Sequence, residues 1–154
     1  MKQITMHLDE NYLRPIVRSA MFYGLAILID SGADFPVWVA DEESLIVAGG
    51  KSLNTKGCFH GFGGVAEGNM YRLTVNLGTD ENNSIIFNDM PLIACKTENK
   101  PNFQLILPAT AFANMMYQID NINHRFNLDI ADNQTVINLK YKLAEDGPEI
   151  YSTE

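Results

Sequence analysis

Cys58 and Cys95 are the only cysteines in the 154-residue chain, and neither sits in a CxxC pair. That is too few for a disulfide scaffold, so free thiols are expected at both. Histidine is equally sparse. His7, His60 and His124 lack ligand spacing, no HExxH occurs, and neither a metal nor a cofactor is expected. The pairing of Cys58 with His60, two residues apart, reads as incidental. There is no G-x-S-x-G elbow and no phosphate-binding loop, and the run GFGG at 61–64 lacks G-x-G-x-x-G spacing. Positive charge is short: 11 Lys and Arg against 19 Asp and Glu leave a net charge of −8. Such a balance argues against nucleic acid as a partner and gives no help at an anionic membrane. No apolar run approaches the roughly 18 residues that span a bilayer, and the amino-terminal stretch is charged where a signal peptide is apolar. A cytoplasmic, reduced protein is the expectation.

A hydrophobic fraction of 46% with 19% charged residues describes a folded globular chain, and the length suits one domain. Strands are expected at 3–8, 35–39, 70–77, 85–87, 92–94, 103–107, 125–130 and 135–141, from alternation or from short β-branched runs. Residues 16–29 read as a hairpin interrupted by Gly24, with a helix over 18–29 as the competing reading. Residues 41–45 suit one helical turn. Pro108 followed by ATAFANMM suits a short helix over 109–117, with Met115 and Met116 on its buried face. Five glycines fall within residues 57–68, so that segment is a hairpin tip or a mobile loop. The last ten residues, EDGPEIYSTE, read as an acidic tail, frayed or docked through Ile150 and Tyr151. The domain organisation expected is therefore an all-β domain over 1–144 and a tail over 145–154.

The segment LAILIDSGADFPVWV at 25–39 carries the chemistry. An apolar strand delivers Asp30 at its end, with Ser31 and Gly32 directly after it. By itself Asp-Ser-Gly is a common turn, in which the carboxylate accepts from backbone amides. Between two apolar strands, however, the carboxylate is expected to be partly buried and to need a partner. Trp38, the sole tryptophan, is expected in the core rather than in a subsite.

The stretch ILIDSGAD resembles the active-site signature of retropepsin-like (retroviral-type) aspartic proteases, in a member of bacterial or cellular type. HGFGGVAEG at 60–68 is similar to the glycine-rich flap tip of that family, about thirty residues after the aspartate. The apolar strand and short helix at 103–113 match the segment that closes the family fold, although Pro108 stands where the family has glycine. The resemblance spans about 30–115. It implies a single closed β-barrel of the acid-protease type with one short carboxyl-terminal helix, and an aspartic endopeptidase that hydrolyses peptide or protein substrates.

Aspartic proteolysis needs two carboxylates sharing one proton, one to activate water and one to donate to the carbonyl oxygen. Asp30 alone has the Asp-Ser/Thr-Gly setting, so the resemblance implies a homodimer with one Asp30 from each subunit at the two-fold axis. It further implies that the Ser31 hydroxyl reaches the partner's backbone and that Gly32 allows the tight turn beside the carboxylate. Ala33 then leaves room for substrate backbone. Asp34 accepts from a substrate amide or is simply a solvated turn residue. Phe62, Gly63 and Gly64 become the flap tip over the substrate. The alternative is a dimeric β-barrel without catalysis that binds peptides or partner proteins.

Overall fold

The computed structural model describes residues 1–154 other than 12, 62, 63, 98–100, 145, 146 and 154, with the backbone alone at 59–61, 64–66, 140–144 and 147–153. Alternation at the amino terminus produces β1 (Lys2–His7), whose inward residues Ile4 and Met6 are buried. β2 (Ile16–Ser19) and β3 (Leu25–Asp30) form the expected antiparallel hairpin, Ile16 opposite Leu28. Its turn is a 3-10 segment, Ala20–Phe22, closed by Tyr23 and Gly24 at φ 55° and 67°. Gly24 takes the left-handed conformation without the strain a side chain adds. β4 (Val37–Trp38) is followed by the helix α1 (Glu42–Val47) and then by β5 (Lys51–Gly61), β6 (Gly64–Asp80) and β7 (Asn83–Ala94). Asp41 caps α1 by accepting from the Ser44 N–H at 2.7 Å, so the turn expected at 41–45 becomes a short helix. β8 (Leu105–Pro108), β9 (Met116–Asp120), β10 (Arg125–Ile130), β11 (Val136–Ala144) and β12 (Gly147–Thr153) complete the chain.

The strands form two sheets. The smaller has the order β1-β10-β9, and the larger runs β12-β11-β7-β4-β8-β3-β2, with β6 pairing both β7 and β5. β8 lies between β3, to which it is parallel, and β4, to which it is antiparallel. Gln104 fastens that insertion. It exchanges hydrogen bonds with Ala26 through its backbone N–H and its side-chain oxygen, both at 2.9 Å, while its carbonyl accepts from Val39 N–H. β3 is thus held by β8 up to Asp30, which stands opposite Pro108, and by β2 up to Leu28. The core between the sheets includes Trp38, Phe35, Phe87, Phe112 and Phe126, so Trp38 is a core residue as expected.

Two expectations are corrected. The closed barrel is not formed: among the described residues the sheets are open paths, joined at β1 and β2 by the single bridge Leu8–Val17. The carboxyl-terminal helix over 109–117 is only a 3-10 turn, Ala109–Phe112. Met116 onward pairs with β10, Met116 opposite Asp129, and ladder bonds to a neighbouring strand prevail over local helix preference. Met116 is consequently 66% exposed instead of buried. Of the two readings left open for the last ten residues, frayed or docked, the backbone of 147–153 takes the docked form, hydrogen-bonded antiparallel to β11 from Gly147–Ala144 to Thr153–Asn138.

Candidate functional site

Asp30 is the last residue of β3, and the four residues before it, Ala26 to Ile29, are buried. The chain reaches Asp30 as a fixed strand and leaves it as a turn. Asp30 Oδ1 accepts the Gly32 N–H at 2.9 Å, and its carbonyl accepts the Ala33 N–H at 3.3 Å. Asp30 is half-buried, as expected for a carboxylate at this point, and its partner is the amide two residues on. Among the described residues Oδ2 has no hydrogen-bond partner. Ser31, Gly32 and Asp34 are exposed, and Ala33 is half-buried.

Asp30 and Ser31 open into a cavity of about 230 Å³, lined also by Arg14, Pro15, Tyr117 and Ile119. Two features put these residues there. The Pro15 carbonyl accepts the Ile29 N–H at 3.0 Å, so the segment before β2 is tied one residue short of Asp30. On the other wall, Tyr117 packs against Phe112 and Phe126, with ring centroids 5.6 and 6.1 Å away. That aromatic cluster fixes β9 and turns Tyr117 and Ile119, two apart on one strand face, toward the carboxylate. Sequence reasoning missed all four lining residues. For Tyr117 and Ile119 a signal existed in their i, i+2 spacing, masked by the helix expected over 109–117. Arg14 and Pro15 carried none.

The residues expected over the site are only partly visible. Phe62 and Gly63 lie outside the described residues. Gly64 opens β6 directly opposite Gly61, so the glycine-rich segment is the end of a β-hairpin. Cys58 is exposed and Cys95 half-buried, both as free thiols. Among the described residues no helix is long and apolar enough to cross a membrane.

No family model and no curated protein matches the chain. Among solved structures, a retropepsin-like aspartic protease from Rickettsia conorii is similar, at 12% identity over 83% of this chain and 90% of that chain, with a TM-score of 0.43.

Proposed function

We propose that the protein is an aspartic endopeptidase acting as a homodimer, in which two Asp30 carboxylates, one per subunit, activate a water for attack on a peptide bond. The observation that carries this reading is Asp30 itself: a half-buried carboxylate at the end of a strand paired on both sides, held through one oxygen by the Gly32 amide and lining a cavity. Bringing two such groups within hydrogen-bond distance makes like charges compete, so that one proton is shared between them. The ionised partner then takes a proton from water while the protonated one donates to the carbonyl oxygen. In this reading Ser31 locks the two turns to each other, and Gly32 keeps its amide on the carboxylate. Ala33 and Asp34 face the substrate backbone, and Phe62, Gly63 and Gly64 cover it. Residues 1–144 form the protease domain, and the acidic segment 145–154 is an arm that joins it through β12. The two free thiols suit a reducing, cytoplasmic setting.

Pro108 favours a second reading. It stands opposite Asp30 on β8 and supplies no N–H to that end of the sheet, which suits a dimer that binds peptides without cleaving them. Sedimentation of the wild type and Asp30→Asn at several concentrations, with cleavage of a peptide library at mildly acidic pH, separates the two. The enzyme gives a dimer in both proteins and cleavage in the wild type alone. A dimer with no cleavage in either protein supports the binding module, and a monomer at every concentration removes the shared dyad.

A further inference from the structure

At Asn69, opposite Ala94, β6 loses its pairing with β7, and from there to the tip β5 and β6 pair with each other as a two-stranded ribbon. Where the ribbon leaves the sheet, Gly57 stands directly opposite Gly68. Gly68 has no room for a side chain, and Gly57 is tightly packed. A Cβ on Gly68 would lie 2.0 Å from the Ala94 carbonyl oxygen, and one on Gly57 3.1 Å from Ile93 Cδ1 and Met70 Sδ. The root of the ribbon is therefore pressed backbone-first onto the end of β7.

One side chain from outside the ribbon holds that root. Glu42, in the first turn of α1, accepts through Oε1 from Asn69 Nδ2 and from the Tyr71 hydroxyl, each at 2.9 Å. Asn69 and Tyr71 are alternate residues of β6 and share a face, so a single carboxylate grips two successive positions of the strand. The hydrogen bond also raises the Tyr71 phenol above its ordinary value. α1 is itself anchored: Leu45 is buried, and the Trp38 indole N–H donates to the Asp41 carbonyl at 3.0 Å. Beyond Glu42, the Lys56–Glu67 ion pair at 3.7 Å faces a cavity of about 430 Å³. The ribbon has open space beside its root, and the Glu42 carboxylate bridges that space to a fixed helix.

We propose that Glu42 is a positioning residue: through Asn69 and Tyr71 it sets the angle at which the β5–β6 ribbon projects from the sheet, and so how closely the ribbon covers bound substrate. The coverage of substrate rests on the protease reading above, whereas the grip on the ribbon does not. Amide hydrogen exchange at residues 57–61 and 64–68, without substrate, tests it in Glu42→Ala, Glu42→Gln and the double variant Asn69→Ala/Tyr71→Phe. Losing both charged hydrogen bonds is expected to speed exchange there about tenfold, with β3 and β8 unchanged. Glutamine keeps an acceptor oxygen and is expected to restore most of the protection. The double variant should match Glu42→Ala and, leaving α1 intact, serves if that substitution unfolds the chain. Ribbon exchange at the wild-type rate in Glu42→Ala and the double variant overturns the proposal. Peptide cleavage is then compared, with Glu42→Ala expected to raise KM several-fold more than it lowers kcat. If Asp30→Asn leaves cleavage intact, the protease reading fails while the exchange result stands. Active wild type with unaltered ribbon exchange removes the positioning role alone.

Discussion

Four aspartates among the described residues, Asp9, Asp30, Asp80 and Asp120, accept the N–H of the residue two positions on, and only Asp30 is left with an oxygen to spare, since Asp9 Oδ2 pairs with Arg18 Nε at 3.6 Å. Asp80 takes the Asn82 and Asn83 amides at 2.9 and 3.0 Å and both of its oxygens accept from Asn83 Nδ2 at 3.1 Å. Asp120 repeats the pattern with Ile122, Asn123 and the Asn123 side chain at 2.9–3.0 Å. Each sits in an Asp-x-x-Asn turn between antiparallel strands, and each carboxyl is held below its ordinary range, chiefly by the asparagine side chain. Asp30 has alanine at the position of that asparagine, ends a buried strand, and takes one amide. A carboxylate saturated with donors closes a turn. One with an unfilled oxygen beside a cavity is available to a second group.

The largest effect should come from swapping a carboxylate for an amide at each position. Asp30→Asn preserves the acceptor for Gly32 and the shape of the turn, so folding is kept. Peptide cleavage should drop by about a thousandfold or more, the scale seen when one member of a catalytic set is removed. Asp120→Asn should leave the rate within about twofold, since it is not part of such a set. Comparable losses in the two variants, measured on the same peptide, would dissolve the distinction drawn between them.

Next in size is the packing of the turns themselves. A Cβ on Gly78, two residues before Asp80, would lie 2.2 Å from the Asn83 carbonyl oxygen and 2.5 Å from Ser84 Cα. Gly78→Ala should therefore lower stability by about 1–3 kcal/mol in denaturant melts, the range for forced overpacking. A smaller effect follows from pH. Because the Asp80 and Asp120 carboxyls are depressed in the folded protein, their contribution is complete above the unfolded aspartate value of about 3.9 and is lost as pH falls through the folded value. In Asp80→Asn/Asp120→Asn that contribution is gone at every pH. Melting temperature should then fall less steeply below about pH 4 than in the wild type. Parallel curves down to pH 2 would mean the turn hydrogen bonds carry no linkage.

Much of this contrast was legible in the residues. The apolar run into Asp30 and the glycine after it fixed where the unsaturated carboxylate falls. Alternation likewise marked β1 and β10 to within a residue or two, and β-branched residues beside Gly24 marked the β2–β3 hairpin. Other features depended on distant partners. Residues 85–87 and 92–94 read as separate strands, yet β7 runs through both and through Pro91 between them. Pro91 stands opposite Arg72 in a stretch that neither β11 nor β4 borders, where a missing N–H goes unnoticed. The helix over 109–117 failed for a similar reason, because its second half is claimed by β10. Arg14 and Pro15 come to the cavity because the Pro15 carbonyl, accepting the Ile29 N–H, extends the β2–β3 register one step beyond Ile16 opposite Leu28, a register that nothing in residues 14–15 announces.

The smallest effect expected is also the most discriminating. A Cβ on Gly32 would lie 3.4 Å from Asp30 Oδ1, an ordinary contact, and Gly32 does not adopt the left-handed conformation that penalises a side chain. Gly32→Ala should therefore fold with a stability change within about 0.5 kcal/mol, against the loss expected at Gly78. The added methyl nevertheless touches the carboxylate oxygen that takes the Gly32 N–H, on the exposed side of the turn. If two Asp30 groups and a water must fit within hydrogen-bond distance of one another, a methyl there crowds them, and cleavage should fall while the melting curve stays in place. If the Asp30 turn is only another closed turn, alanine should be silent in both measurements. A variant with normal stability and full activity would therefore count against a shared carboxylate site, even with the dimer intact.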